Sequence, residues 1–237
     1  MSRIEAHPLN KIYCTILPGK YSGSEVVPEL YNVVYGYWKK TWSDFFAKAG
    51  SPAGSLNVEN FTRHAFVIAL HCDDVIVGAM CSSLFNFSAL PTLDHPCINP
   101  FPENLLASLR TGGASLCMTG EYLSVNPDFR KGCMGISMAE VLAGIQMKIF
   151  RNLNLSASLA ATVRAAKVDI ICKKFGFAEV GSYQKMGVDC VMLFNTQDKY
   201  QEHPDSAVRF QVERLWRNCR DETGYFQTGK QRKKLAA

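Results

Sequence analysis

No apolar run in this 237-residue sequence reaches the roughly 18–20 residues that a helix needs to cross a bilayer. Met1 to Lys20 lacks the apolar centre of a secretory leader, so a cytoplasmic location is expected. Cysteine is plentiful, with nine residues, but no Cys-x-x-Cys pair occurs and no Cys/His spacing is tight enough for a ligand set. An odd count scattered through apolar segments predicts reduced thiols, not a disulfide frame. His71-Cys72-Asp73-Asp74 and His95-Pro96-Cys97 contain metal-ligating residue types, yet each reads as a turn or loop, and no metal is expected. A basic stripe with interleaved aromatics is also missing. The net charge of +5 is partly spent in the tail, at Lys230, Arg232, Lys233 and Lys234, so a nucleic-acid partner is not expected. What is present suits a folded chain with a substantial core: 47% hydrophobic, 11% aromatic and only 20% charged residues.

The most informative stretch runs from Glu121 to Arg151. Met118 to Val125 reads as a strand, with short β-branched and aromatic residues at its end. Pro127 stops the ladder and biases Asn126 toward extended geometry. Arg130 and Lys131 follow, then Gly132 and Gly135 flank Cys133 and Met134. From Ile136 onward, apolar residues at 138, 141, 142, 145 and 149 have helical spacing. A basic, glycine-containing turn that opens a helix suits an anion, because the first helical turn has free N–H groups and partial positive charge. A plain strand–turn–helix connection with a solvated basic turn accounts for the same spacing.

Before this stretch, 25–50 is a helix with an aromatic-rich stripe that includes Tyr37, Trp38, Trp42, Phe45 and Phe46. Phe61–Ala69 and Val75–Leu84 predict a hairpin around His71–Asp74. Phe85–Met118 holds Pro91, Pro96, Pro100 and Pro102, and a connection of that length either covers a site or decorates the surface. After the stretch come a strand at Leu155–Ala161, a helix at Arg164–Phe175 ending at Gly176, and two strands, Ala178–Tyr183 and Val188–Asn195. Ala207–Cys219 is helical, with Val208, Val212, Leu215 and Trp216 on one face.

Val125, Pro127, Arg130 and Gly135, opening a helix, resemble the acyl-CoA signature of the GNAT superfamily of N-acyltransferases, Val-x-Pro-x-x-Arg-x-x-Gly-x-Gly/Ala. Cys133 stands in the place of the first Gly, and Gly132 falls one position early. Lys174-Phe175-Gly176-Phe177 is similar to the end of a second family motif, whose earlier Asn, Ala and Tyr places hold Ala165, Val168 and Cys172. The resemblance covers roughly 61–195, with weaker support from 25–50. It implies an α/β (α+β) GNAT fold, a mixed central sheet flanked by helices and splayed between the central strand and the next. In that frame 1–195 is the acyltransferase domain, and 196–237 is a C-terminal helix and basic tail that docks on the domain or on another subunit.

The resemblance also implies a chemistry. A bulge near Leu123, Ser124 and Val125 would free main-chain N–H groups for the pantetheine arm and the thioester carbonyl. Arg130, Lys131, Gly132, Cys133, Met134, Gly135 and Ile136 would surround the pyrophosphate of coenzyme A. Glu121 would be the base, and Cys172 occupies the place of the usual acid, with Tyr122 and Tyr183 as other donors. The expected enzyme is an N-acyltransferase using acetyl-CoA or a longer acyl-CoA, with a small-molecule amine or amino acid as acceptor. A long-chain enzyme of the N-acyl amino acid synthase or acyl-homoserine-lactone synthase kind, taking its donor from acyl-CoA or acyl carrier protein, is one alternative. A catalytically silent acyl-CoA-binding module is another.

Overall fold

A computed structural model describes residues 9–22, 25–52, 54–113, 116–130, 135–185 and 187–226. Eight strands form one mixed sheet: β1 (Tyr13–Pro18), β2 (Phe66–Cys72), β3 (Val75–Asn86), β4 (Leu116–Val125), β5 (Ala157–Val163), β6 (Ala178–Lys185), β7 (Val188–Thr196) and β8 (Arg220–Asp221). Their order across the sheet is β6-β7-β5-β4-β3-β2-β1-β8. Successive strands up to β4 pair antiparallel, as do β5 with β7 and β6 with β7. Only β4–β5 and β1–β8 run parallel. A parallel pair requires a crossover, and the helix predicted after residue 135 supplies it for β4–β5.

The helices are α1 (Glu29–Lys48), α2 (Glu59–Thr62), α3 (Glu103–Thr111), α4 (Met138–Asn152), α5 (Val168–Lys173) and α6 (Ser206–Arg217). Side-chain alternation along the strands divides the core in two. Phe66, Ile68, Leu70, Val77, Met80 and Met118 point to the face covered by α4, α5 and α6. Val67, Ala69, Ile76, Ala79 and Cys81 meet α1 on the other face, where Trp38 and Phe61 are fully packed. Cys117, Ala157 and Leu159 on that same face meet Phe87, Ile98 and Phe101 of the segment between β3 and β4.

Several boundaries differ from the sequence expectation. The strand expected from Phe61 begins at Phe66, because reciprocal bonds between Asn57 and Asn60 (N–H to Oδ1, 2.8 and 3.2 Å) start a helical turn that delivers Phe61 to the core. The strand expected at 155–161 runs from Ala157 to Val163. The helix expected at 164–175 is a 3₁₀ turn, Arg164–Ala166, followed by the short α5, interrupted where Lys167 adopts φ +56°. α4 starts at Met138, not Ile136, where the Ser137 Oγ accepts the Glu140 N–H at 3.3 Å.

The C-terminal segment packs on the rest of the chain. Asp205 caps α6 through the Ala207 N–H (2.8 Å). Val208, Val212 and Leu215 are buried against the face that carries α4, and Phe226 joins them. Arg214 Nη2 donates to the carbonyls of Leu9 (2.8 Å) and Ile12 (3.0 Å), and β8 pairs with β1. The basic tail beyond residue 226 lies outside the described residues.

Candidate active site

β4 and β5 are neighbours only from Cys117↔Ala157 to Gly120↔Ala160. Beyond that rung they part, and Glu121 to Val125 have no strand partner on the β5 side. A side chain could not occupy position 120 without displacement, since an added Cβ would lie 2.5 Å from Gln146 Nε2. On its other edge β4 carries a bulge: Glu121 faces Cys81 and Ser124 faces Ala79, so Tyr122 and Leu123 share Met80. The bulge lies slightly earlier than the expected 123–125. Tyr122 sits there at φ +55°, a conformation costing a non-glycine residue roughly 1–2 kcal/mol. Aromatic packing holds it, edge-on to Trp38 (5.5 Å between centroids) and Trp42 (5.0 Å).

A cavity of about 560 Å³ occupies the opening and reaches both faces of the sheet. Trp42, Phe45 and Phe46 of α1, with Phe101 and Cys97, line it on one side, and Ala139, Ala143 and Met147 of α4 line it on the other. Leu123, Ser124, Val125 and Arg130 all line it. Gly135 is exposed at φ +75°, a backbone position open to glycine but strained for other residues. Ile136 packs on the core instead of the cavity. Lys131, Gly132, Cys133 and Met134 lie outside the described residues.

Glu121 lies at the wall on the α1 side, in a dense hydrogen-bond set. Arg63 Nη2 pairs with its Oε2 and Arg63 Nη1 lies 3.4 Å from Oε1. Thr119 Oγ1 donates to Oε1 at 2.9 Å, and Cys97 Sγ to Oε2 at 3.2 Å. Burial alone would raise the carboxyl pKa, but neighbouring positive charge outweighs it and holds the group at about 2. His64 stands 3.8 Å away, and burial lowers its pKa to about 4, so at neutral pH it is uncharged. At neutral pH Arg63 is therefore the cation beside Glu121, and His64 adds its charge only in acid. The His64 tautomer follows from its partners: Nε2 must donate to the Asn60 carbonyl (2.9 Å), leaving Nδ1 to accept from Ser83 Oγ (2.9 Å).

Cys172 also lines the cavity, from α5 on the opposite sheet face to Glu121. Burial, with Asp169 nearby, pushes its thiol up to about 12. Tyr183 lines the Glu121 side, and burial raises its phenol too. Arg63, Phe101 and Lys185 escaped the sequence reading, and Cys97 entered it only as a metal-ligating residue type in a loop. Only the length of the segment between β3 and β4 pointed toward the part of the wall that Cys97 and Phe101 provide. Among the described residues no group of three or more His, Cys, Asp or Glu is placed to hold a metal, and no helix is long and apolar enough to cross a membrane.

No protein-family model matches the sequence, and no curated protein matches it. Solved structures do match. FeeM, an N-acyl amino acid synthase from uncultured soil microbes, superposes with a TM-score of 0.56 at 12% identity, covering 84% of this chain and 97% of that one. BjaI, a CoA-dependent acyl-homoserine lactone synthase solved with SAM and isopentyl-CoA, gives a TM-score of 0.55 at 7% identity, covering 94% of this chain and 99% of that one. The splayed eight-stranded sheet, the β4 bulge and these superpositions together give the chain a GNAT-like fold.

Proposed function

We propose that the protein is an N-acyltransferase that moves an acyl group longer than acetyl from a coenzyme A thioester to an amine by direct attack. The observation carrying this reading is the opening past Gly120 and Ala160: an unpaired, bulged strand edge set over a large apolar cavity. Its volume falls within the roughly 300–1,000 Å³ of small-molecule sites. The pantetheine arm and the acceptor share that volume, and the apolar wall of Trp42, Phe45, Phe46 and Phe101 offers more surface than an acetyl group, the simplest expectation, would cover. FeeM and BjaI, which match nearly over their whole lengths, are named for acyl transfer to an amino acid and for homoserine lactone synthesis, and this supports the same direction.

In this reading Arg130 and the α4 N-terminus attract the donor's phosphates. Main-chain N–H groups freed at Glu121–Val125 stabilise the oxyanion that forms when the amine attacks the thioester carbon. The C–S bond then breaks and coenzyme A leaves as a thiolate. Protonation by Cys172 would be uphill, because its thiol lies near 12 and an ordinary thiol near about 8.5, a gap of roughly 5 kcal/mol. Glu121, held near 2, is too weak a base to keep the amine's proton. It serves as a fixed negative charge for the nitrogen that becomes positive on attack, and the proton passes to water. Most of the acceleration then comes from orientation and carbonyl polarisation.

The test is a thermal-shift panel of CoA, acetyl-CoA and C8 to C16 acyl-CoAs, followed by thiol release with amines. A ligand at about 100 times its Kd stabilises by roughly 2.7 kcal/mol, a readable shift. Larger shifts from the longer chains, with amine-dependent thiol release, support the reading. Equal shifts from CoA and every acyl-CoA would return it to acetyl transfer. If none binds, acyl carrier protein loaded with the same chains becomes the donor to assay. Binding without any release would leave a silent acyl-CoA-binding module.

A further inference from the structure

Three charged residues line the cavity among the described residues: Glu121, Arg130 and Lys185. Arg130 follows β4, on one bank of the opening, where the donor's phosphates belong in the acyltransferase reading. Lys185 ends β6, on the other bank, two residues after Tyr183 and so on the same side of the strand. Tyr183 packs on the α3 side of the sheet, the face of Glu121 and Cys97. Arg63 is occupied by Glu121. Lys185 forms no ion pair within contact distance among the described residues, although its charge reaches Glu121 and it borders the apolar cavity. A half-buried ammonium group at the edge of an apolar cavity is a ready partner for an anionic group on a ligand.

Resting on the acyltransferase reading, we infer that the acceptor is an amino carboxylate of the amino-acid kind, with its carboxylate held by Lys185 and its amine beside Glu121. Charge bookkeeping supports the choice. Arg63, Glu121 and Lys185 sum to +1 on this side of the cavity, with His64 neutral. The nucleophile of an amino acid is its free-amine form, which carries −1. A side of net charge +1 attracts that form more than the neutral zwitterion, and Glu121 meets the positive charge that develops on its nitrogen during attack. A diamine with one free nitrogen still carries a positive charge and is disfavoured by the same field. Lys185 is thus the specificity-determining residue, and it acts on the acceptor directly.

The experiment compares amino acids, their carboxamides and simple diamines as acceptors in thiol release with one long acyl-CoA, each corrected for its free-amine fraction. The parent protein should prefer an amino acid over its carboxamide by about 10–100-fold in kcat/KM, the range of one charge-assisted hydrogen bond. Lys185→Gln should abolish that preference, mainly through KM for the amino acid. Lys185→Glu should turn preference toward diamines. An unchanged thermal shift with acyl-CoA checks that both variants fold. Equal use of carboxamide and amino acid by the parent, or an unaltered ratio in Lys185→Gln, overturns the inference while leaving the acyltransferase standing. Absence of thiol release with every acceptor overturns both.

Discussion

At the residue scale, Glu121 and His64 make stability depend on acid in two stages. His64 is a base with a folded pKa of about 4, below the ordinary value of about 6.5. As pH falls through that window the unfolded chain takes up a proton that the folded chain refuses, and stability drops by roughly 3 kcal/mol. Glu121 contributes stability that is complete above about 4.3, its unfolded value, and is lost as pH falls toward its folded value of about 2. Urea unfolding between pH 7 and 3 should therefore show a decline that starts above pH 5. His64→Gln should flatten its upper part and make the lower part shallower, because protonated His64 helps hold Glu121 ionised in acid. Arg63→Met should cost about 2–4 kcal/mol, somewhat under the 3–5 kcal/mol of a fully buried broken pair, because Arg63 is partly exposed. It should also move the acid limb upward, since Glu121 then ionises less readily.

At the scale of elements, two joints decide how the cavity is built. α1 supplies Trp42, Phe45 and Phe46 to its wall, and Trp42 also clamps the Tyr122 ring. Trp42→Ala should lower Tm and weaken the stabilisation given by C12 to C16 acyl-CoAs more than that given by acetyl-CoA. A uniform loss across chain lengths would mean that α1 only supports the bulge. α4 depends on the Ser137 cap, and Ser137→Ala should cost about 1 kcal/mol in denaturant unfolding, with the loss centred on α4. The β4 bulge itself was foreseen only approximately. Nothing in Tyr122-Leu123-Ser124 marks which residue turns to positive φ, and the choice belongs to Trp38 and Trp42, which are more than 75 residues away in the chain.

At the scale of the whole molecule, residues 206–226 finish the core that the strands begin. Val208, Val212, Leu215 and Phe226 cover the α4 face, and β8 extends the sheet past β1. A chain truncated before Ser206 should lose its cooperative thermal transition, seen by circular dichroism, because it exposes that apolar surface and frees the N-terminal loop that Arg214 ties down. Retention of a sharp transition at unchanged Tm would show that residues 9–205 fold unaided.

The sequence by itself determined the alternation of elements, the turn after Val125 and the crossover helix, since these rest on periodicity, proline and glycine, all local properties. The resemblance to the GNAT superfamily named the fold and pointed to Glu121. Only the tertiary structure decided what surrounds that carboxylate. Arg63 comes from the turn after α2, Cys97 from the segment between β3 and β4, and Lys185 from the end of β6, and no spacing along the chain relates them. Their meeting follows from sheet order and from which face each strand residue takes. The ionisation of Glu121 and the neutrality of His64 follow in turn from burial and neighbours. Those are facts of packing, and packing is where a one-dimensional pattern stops being informative.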